Sequence, residues 1–462
     1  MSSLTSTLPA SGPIAVNPRM HQMLHAPLLS TLLRLATPNI IGLFAMTVVI
    51  GYDGFILGRL GADALAGVAL VLPLSMLMLQ MSAGGIGGAT TAAVAHAIGA
   101  GQTAEANRLA QHALVVAAVA AALFTVGLVG GGRFIYAAMG GQGAALSEAL
   151  AYSNVIFGGA LLVWFNNVLS GVVRGSGNML LPSMVLLGMA LVHLVLCPFL
   201  VFGAGGWPGL GVAGAAASTL TVNALACAAL SAHLLRPAGI VRLGSAPWAV
   251  RKEPLRALLR VGIPASFSPV ISNASIAAAT VFAGSYGTVA LAGYGVAARL
   301  EYILVPIAFG FGTALTAMVA TNIGAGQVAR ALRVTWTGAA VVFAITGSIG
   351  LAAALAPSGW MNLFTPDEAV RAFGGLYLNI VGTCYGLFGL GLALFFASQG
   401  AGRMSWPLAA SMARLVVVGI GGWACVYWMH APAATFFVVV AMSFAAYAVT
   451  LAAAIRLGGW TR

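Results

Sequence analysis

The sequence predicts an all-α membrane protein whose twelve transmembrane helices fall into two similar halves. Composition indicates the class, because 60% of the 462 residues are hydrophobic, only 6% are charged, and the mean hydropathy is +1.00. A soluble protein carries about 25% charged residues. Apolar stretches of about 20 residues cross the bilayer as helices, since a helix satisfies its own backbone hydrogen bonds.

An internal repeat divides the chain. The pattern Gly-x-Gly-x-Met at 175–179 recurs at 400–404, which is 225 positions later, and Ile-Gly-Ala-Gly-Gln at 98–102 recurs at 323–327 with the same spacing. Further matches in the same order, such as Pro38 with Pro264, differ by a single residue of slip. Ordered landmarks at one spacing indicate a duplicated protein.

Apolar stretches place six spans in each half. The predicted spans are 35–58, 65–92, 109–131, 149–172, 181–203, 209–235, 256–284, 288–320, 331–356, 371–397, 406–428 and 433–456. An even number of spans per repeat leaves both halves facing the same way, so a pseudo-two-fold axis along the membrane normal relates them. The second and eighth spans are long, and we expect them either to continue past the bilayer or to bend at glycines such as Gly84 and Gly310.

Basic residues predict the orientation. With the N-terminus inside, fifteen of the twenty Lys and Arg residues lie in cytoplasmic segments, Arg59, Arg133 and Arg371 lie on the other side, and Arg299 and Arg414 lie inside spans. This positive-inside bias predicts that both termini are cytoplasmic. The net charge of +12 is therefore a signal of topology and of contact with anionic lipid rather than of nucleic-acid binding.

These predictions give the domain organisation. We expect a disordered cytoplasmic tail (1–33), an N-terminal six-helix lobe (34–235), a basic cytoplasmic linker (236–255), a C-terminal six-helix lobe (256–456) and a short cytoplasmic tail (457–462).

Local motifs do not indicate metal or nucleotide chemistry. The four cysteines stand singly in apolar surroundings and the seven histidines form no metal-ligand spacing, so no metal site is predicted. The glycine-rich runs 84–88 and 203–206 lack the Lys-Ser/Thr that follows a phosphate-binding loop. The sequence therefore predicts neither an enzyme nor a bound cofactor.

Asp53 is one of two carboxylates inside a predicted span. It follows Tyr52 in Gly-Tyr-Asp-Gly, near the outer end of the first span. A carboxylate in hydrocarbon is costly unless it faces a cavity, is paired or is protonated, and no cation stands one helical turn away. We interpret Asp53 as an exchangeable ion or proton site, with a carboxylate reaching the membrane interface as the alternative.

Glu301 is the other buried carboxylate, near the middle of the eighth span. Arg299 is two residues away and points to a different side of the helix, so Arg414 in the eleventh span is the candidate partner. A structural ion pair and a substrate or proton site both stay open for Glu301.

Uncharged polar residues inside the spans are weaker candidates. They include Asn166, Asn167 and His193. Such side chains commonly form hydrogen bonds between transmembrane helices. The residues that could bind substrate or relay protons are these three together with Tyr52, Arg299, Glu301 and Arg414.

The ordered residues resemble the MATE family, the multidrug and toxic compound extrusion transporters. The resemblance rests on Pro38 and Asp53, on Gly-Arg-Leu-Gly at 58–61, on Arg-Leu-Glu at 299–301, and on the repeated motifs; it spans residues 34–456. It implies two six-helix lobes around a central cavity that work by alternating access. It further implies export of organic compounds, often cationic and amphipathic, in exchange for protons or sodium, with Asp53 as the coupling carboxylate. A functional monomer in the inner membrane of a bacterium is expected.

The fifth span departs from the family pattern. Sodium-binding members similar to this branch carry Asn and Asp four residues apart, where this chain has His193 and Cys197. Nitrogen and sulfur are poor ligands for a hard cation. Proton coupling through Asp53 is therefore favoured, and His193, with an unperturbed pKa of about 6.5, is a candidate relay.

Other functions stay open as alternatives. A lipid-linked oligosaccharide flippase of the same superfamily would need an arginine-rich cavity for its pyrophosphate, and only Arg299 and Arg414 lie inside spans. A sodium-coupled antiporter is the other transport alternative. An intramembrane enzyme would need reactive groups at one depth, whereas Asp53 and Glu301 fall in different lobes. A pure channel fits two paired lobes less well.

Overall fold

The computed structural model describes residues 18–237, 239–244, 250–458 and 460. In this part of the chain, eleven helices are long and apolar enough to cross a membrane, and a pair bent by 46° makes the twelfth span. The first six spans are Leu28–Gly58, Ala62–Gly99, Thr103–Ala138, Gly143–Gly158 with Ala160–Gly175, Leu180–Phe202 and Val212–Leu235. The last six are Lys252–Gly284, Thr288–Gly324, Val328–Leu355, Glu368–Gly400, Ser405–Trp428 and Ala433–Arg456. The prediction of twelve helices in two halves is confirmed.

Short elements complete the structure. A helix at Pro18–His25 precedes the first span, and a one-turn helix at Pro357–Met361 follows the ninth. Gly203–Ala204 pairs antiparallel with Trp207–Pro208 in the loop between the fifth and sixth spans.

Several spans contain irregular turns. The second span joins Ala62–Gln80 and Gly88–Gly99 through a π-helical turn at Met81–Gly87. The eighth joins Thr288–Ala298 and Glu301–Gly324. In the tenth, a 3₁₀ turn at Gly382–Cys384 separates Glu368–Val381 from Tyr385–Gly400, and the eleventh ends in a π-helical turn at Ala424–Trp428 after Ser405–Trp423.

The bends agree only in part with the predictions. Gly84 lies in the π-helical turn of the second span, whereas the eighth span breaks at Arg299–Leu300 and not at Gly310. A Cβ atom at Gly310 would collide with Ile40 of the first span. This glycine therefore serves close helix packing, which the sequence pattern alone does not distinguish from a bend.

Backbone conformation repeats along with sequence. Three pairs of glycines have positive φ angles at matching turns: Gly61 and Gly287 (+118° and +107°), Gly101 and Gly326 (+76° and +74°), and Gly177 and Gly402 (+84° and +70°). Glycine adopts this region at little cost, whereas other residues are strained there. The repeated motifs thus mark turns that the two halves build in the same way.

The lobes meet along the second and eighth spans. A Cβ at Gly99 would collide with the carbonyl of Thr321, and one at Gly324 would collide with the carbonyl of His96. Closer to the middle of the molecule, Asn39 donates a hydrogen bond of 2.9 Å to the Thr313 hydroxyl. The lobes are therefore closed at the end of the molecule that carries the loop between the second and third spans (the 2–3 loop) and the loop between the eighth and ninth spans (the 8–9 loop). The basic residues predict that this end is cytoplasmic.

The N-terminal segment differs from its prediction. Residues 18–33 are not a disordered tail, because Pro18–His25 is helical and the first span begins at Leu28. Met23 is 1% exposed, and its carbonyl accepts a hydrogen bond of 3.2 Å from Asn322 in the other lobe. The order comes from this packing between lobes, which a polar local sequence does not reveal. Residues 1–17 lie outside the described residues.

The basic linker is shorter than predicted. The seventh span begins at Lys252 and carries Pro254 in its first turn, where proline is tolerated because the first N–H groups of a helix have no partner within it. Residues 252–255 therefore belong to the helix rather than to the linker at 236–255.

Candidate functional site

Asp53 lies at the centre of a polar cluster in the N-terminal lobe. Its Oδ1 is 2.7 Å from Nε2 of His193 and 3.6 Å from Sγ of Cys197. His193 and Cys197 are four residues apart on the fifth span, so they lie on one face of that helix. The structure thus brings together the carboxylate and the two residues at which the fifth span departs from the sodium-binding pattern.

Ser218 of the sixth span completes the cluster. Its Oγ is 3.0 Å from Nδ1 of His193. When Asp53 is ionised, Nε2 carries a hydrogen and donates a hydrogen bond to the carboxylate. The Ser218 hydroxyl then donates to a bare Nδ1, or accepts from Nδ1–H if the ring is an imidazolium, because a hydroxyl both donates and accepts. His193 therefore keeps two hydrogen bonds in either charge state.

Burial leaves Asp53 as the accessible member of the cluster. Its side chain is 24% exposed, compared with 3% for His193. Cys197 and Ser218 are fully buried. Buried Tyr152 lies within electrostatic range of the carboxyl group. A proton or cation that reaches the cluster along its exposed side therefore meets the carboxylate first.

Tyr52 has a packing contact next to the cluster. Its hydroxyl donates a hydrogen bond of 3.1 Å to the carbonyl of Leu194, the residue after His193. This bond joins the first and fifth spans beside the Asp53–His193 pair.

The two asparagines of the fourth span hydrogen-bond neighbouring helices. Asn166 donates to Oδ1 of Asn223 at 2.9 Å, and Asn167 donates to Oγ of Ser82 at 2.8 Å. Neither bond includes a residue of the Asp53 cluster. The geometry favours contacts between helices over the substrate or relay role considered from the sequence.

Glu301 belongs to a separate cluster in the C-terminal lobe. It accepts a hydrogen bond of 2.9 Å from Tyr377, and Arg414 is near enough to act on it electrostatically. The described residues contain no Glu301–Arg414 ion pair within 4.0 Å. The guanidinium of Arg414 instead lies 4.7 Å from the ring centroid of Phe444.

Arg299 is remote from that cluster. It is exposed, and its guanidinium lies 5.5 Å from the ring centroid of Phe364. The break in the helix at 299–300 separates its direction from that of Glu301.

Sequence reasoning missed Ser218 and Tyr377. Ser218 is one of several small polar residues in an alanine-rich helix, and no local pattern distinguishes it from Thr219 or Thr221. Tyr377 is one of ten tyrosines. Their roles follow from helix packing across separate parts of the chain.

Three residues of the N-lobe cluster are of types that bind metals. One ligand atom each from Asp53, His193 and Cys197 lies within 4.8 Å of the other two. Local spacing predicted no metal site, because Asp53 is 140 residues from His193 in sequence. Tertiary structure brings the three together.

Comparisons with known proteins agree with this architecture. A profile of the MatE family matches residues 38–199 and 264–422. A FAD transporter of Shewanella oneidensis is 25% identical over 410 residues, covering 86% of this chain and 88% of that protein. The probable multidrug resistance protein NorM of Deinococcus radiodurans is 27% identical over 411 residues, covering 86% and 89%.

A solved structure shows the same fold. It is a transporter of the MOP superfamily from Pyrococcus furiosus, with 22% sequence identity, a TM-score of 0.88, and coverage of 96% of this chain and 99% of that one. The family profile matches more than half of this chain, in two segments that fall one in each lobe. The chain is therefore a multi-pass membrane protein that belongs to the MatE family of transporters.

Proposed function

We propose that this protein exports organic, often cationic and amphipathic compounds by antiport with protons, and that Asp53 is the coupling residue. The observation that carries the proposal is the 2.7 Å contact between Asp53 and His193. A carboxylate and an imidazole, two groups that exchange protons, lie in contact at a partly exposed position on the membrane-spanning helices, which supports proton exchange at this pair. The family supplies the transport activity, and the proton is the coupling ion that this donor set favours.

The donor set supports protons over sodium. Around Asp53 Oδ1 lie an imidazole nitrogen and a thiol sulfur, whereas sodium, a hard cation, prefers oxygen ligands. Histidine is also the one side-chain type whose unperturbed pKa, about 6.5, lies in the physiological range. The pair can therefore accept and release a proton where it would hold sodium poorly.

The proposed cycle uses one carboxylate for two ligands. Asp53, open to the outside, takes up a proton, and the neutralised N-terminal lobe repacks and releases substrate outward. The inward-facing state then loses the proton to the cytoplasm and accepts a new substrate. Because a cationic substrate and a proton compete for the same charge, binding of one excludes the other, and the proton gradient drives export without nucleotide hydrolysis.

In this proposal the protein acts in the inner membrane of a bacterium. The bias in basic residues supports cytoplasmic termini. In this scheme the two lobes of one chain enclose the whole substrate path, so a monomer is sufficient for transport.

An anionic flavin nucleotide is a second candidate substrate. One relative that covers most of the chain is named as a FAD transporter. Arg414 is 8% exposed, and its Nε has no hydrogen-bond partner among the described residues. A buried guanidinium with an unused donor is a suitable partner for a pyrophosphate.

The test uses purified protein in liposomes that contain a pH-sensitive dye. Uptake of an ethidium-like cation is measured under a proton gradient and, separately, under a sodium gradient. We expect proton-driven uptake that Asp53→Asn reduces to the rate of protein-free liposomes. Asp63→Asn is the matched control, because Asp63 is exposed at the start of the second span.

Each alternative has its own outcome in this assay. Sodium-driven uptake would contradict proton coupling, and equal loss in Asp63→Asn would contradict a special role for Asp53. Uptake of FAD that Arg414→Gln abolishes and Asp53→Asn spares would favour the flavin nucleotide. A failure of both gradients to drive uptake would favour a flippase.

A further inference from the structure

Asp53, His193 and Cys197 form a combination of ligands that is unusual inside a membrane. They supply one carboxylate oxygen, one imidazole nitrogen and one thiol sulfur, all within 4.8 Å of one another. We propose that these three residues bind a divalent transition metal ion of the zinc class. This inference goes beyond the proposed transport function and does not depend on it.

The distances fit the size of such an ion. In zinc sites the metal–nitrogen and metal–oxygen bonds are about 2.0–2.2 Å and the metal–sulfur bond is about 2.3 Å, in tetrahedral geometry. Ligand atoms around a tetrahedral ion are then about 3.3–3.8 Å apart, as those bond lengths require. The observed separations from Asp53 Oδ1 are 2.7 Å to His193 and 3.6 Å to Cys197. All three ligand atoms lie within 4.8 Å of one another, so binding needs side-chain adjustments of about one ångström.

The chemistry of the donors selects the class of metal. Thiolate and imidazole ligands suit Zn²⁺, Co²⁺ and copper, whereas Mg²⁺ and Ca²⁺ require oxygen ligands. Metal binding displaces the thiol proton of Cys197 and any proton on Nε2 of His193, and both protons leave to solvent. The carboxylate and the thiolate then balance the two charges of the ion.

Ser218 supports the ligand state of His193 that a metal requires. When Nε2 binds a metal, the proton must reside on Nδ1, and Ser218 Oγ lies 3.0 Å from that nitrogen as an acceptor. Such a partner holds the ring in the correct tautomer and orientation, as in established metal sites.

Burial distinguishes the cluster from a chance surface grouping. The His193 side chain is 3% exposed, and Cys197 and Ser218 are fully buried. Only the Asp53 side chain is partly exposed, at 24%. This side provides the entry path and leaves a fourth position for water or a small ligand, as in zinc sites with three protein ligands.

Cobalt provides the direct test, because Co²⁺ bound to a thiolate has a charge-transfer absorption that unbound Co²⁺ lacks. The full-length protein in detergent, freed of any polyhistidine tag, is titrated with CoCl₂. We expect a thiolate-to-cobalt band that saturates at one ion per chain and that Zn²⁺ abolishes by displacement. Cys197→Ala should lose the band.

Control variants separate the site from adventitious binding. Cys425→Ala should keep the band, because Cys425 is a buried single cysteine in the other lobe. Ser218→Ala should weaken cobalt affinity by about 10–100-fold, as loss of such outer partners does. If Cys197→Ala does not fold, Cys197→Ser replaces it and should keep only weaker bands without thiolate character.

The proposal is overturned if Co²⁺ produces no charge-transfer band in the wild-type protein, or if the band persists in Cys197→Ala. Because the readout is spectroscopic, it is independent of whether protons drive transport. Failure of the antiport assay with a positive cobalt titration would contradict the proposed function and leave the metal site standing.

Discussion

Asp53 has no counterpart in the second lobe. The repeat relates Asp53 to Ala279, His193 to Val418 and Cys197 to Gly422, using spacings of 226 residues in the first span and 225 in the fifth. At Gly422 the Phe282 side chain occupies the space that a Cβ would fill. One copy of the duplicated helix pair therefore has an ionisable cluster and the other an apolar contact. This asymmetry supports the proposed coupling site in the N-terminal lobe.

Replacement of His193 tests whether the proton is shared. His193→Gln can still donate a hydrogen bond to Asp53 but removes the titrating ring. We expect transport to persist at a reduced rate and its dependence on pH to change, because glutamine cannot take up a proton. The measurement is the initial rate of proton-driven uptake between about pH 5.5 and pH 8.5, a range that includes the unperturbed histidine pKa of about 6.5. A profile identical to wild type would mean that Asp53 binds the proton without His193.

At the residue scale, composition alone predicts Asp53, the resemblance to the MATE family connects it with His193 and Cys197, and neither indicates Ser218. A lone carboxylate in an apolar run is conspicuous because its burial is costly. Its partners lie 140 and 144 positions away, and each also fits an ordinary role as a buried thiol or polar helix contact. Similarly, the sequence makes Arg414 a candidate partner of Glu301, whereas the structure gives Glu301 a hydrogen bond to Tyr377 and leaves Arg414 within electrostatic range. Only helix packing decides between such candidates.

The second and fourth spans pack backbone against backbone. A Cβ at Gly171 would lie 2.5 Å from the carbonyl of Gly87, at the end of the π-helical turn. Thr91 donates a hydrogen bond of 3.1 Å to the carbonyl of Gly171. The second lobe repeats this bond, since Thr316 donates to the carbonyl of Phe396 at 2.9 Å. Small residues permit close approach of membrane helices.

Gly171→Ala should therefore destabilise the protein although alanine favours helices. The added methyl group overpacks the contact, at a cost of about 1–3 kcal/mol. Gly158→Ala is the matched control in the same span, because nothing lies within 4 Å of its Cβ position. We expect a lower Tm for Gly171→Ala and an equal or higher Tm for Gly158→Ala in detergent. Equal Tm values for both would mean that the two spans separate without cost.

At the element scale, the twelve spans follow from hydropathy because each is a long apolar run. Their interruptions do not. The 46° bend at the fourth span and the break at Arg299–Leu300 carry no proline at the break itself. Gly159, at the bend, is packed against the side chain of Leu220. Such irregularities depend on neighbouring helices, which composition does not specify.

The whole molecule is closed by contacts that obey its internal symmetry. Gly99 meets the carbonyl of Thr321, and the related residues Gly324 and His96 form the same contact in reverse. Thr321 is His96 displaced by 225 positions, and Gly324 is Gly99 displaced by the same number. A pair of equivalent contacts about a pseudo-two-fold axis lets two rigid lobes close at one end together, as a rocking transporter requires.

Gly99→Val should prevent this closure. A branched side chain at Gly99 collides with backbone that cannot rotate away, so the variant favours states in which the lobes are apart at this end. Gly127→Val is the control, because nothing lies within 4 Å of its Cβ position in the third span. The measurement is the distance between nitroxide labels at Gln102 and Gln327, in a chain whose four native cysteines are replaced. We expect a longer mean distance in Gly99→Val and the parental distance in Gly127→Val.

The change in this distance shows whether the Gly99–Thr321 and Gly324–His96 contacts control the position of the lobes. If the lobes rock as rigid bodies, the added volume at Gly99 opens the end that carries the 2–3 and 8–9 loops, and Gly324→Val produces the same shift because the two contacts are equivalent. If the distance stays at the parental value in both variants, the helices absorb the side chain by local adjustment. The contacts at Gly99 and Gly324 would then be packing contacts that do not control the position of the lobes.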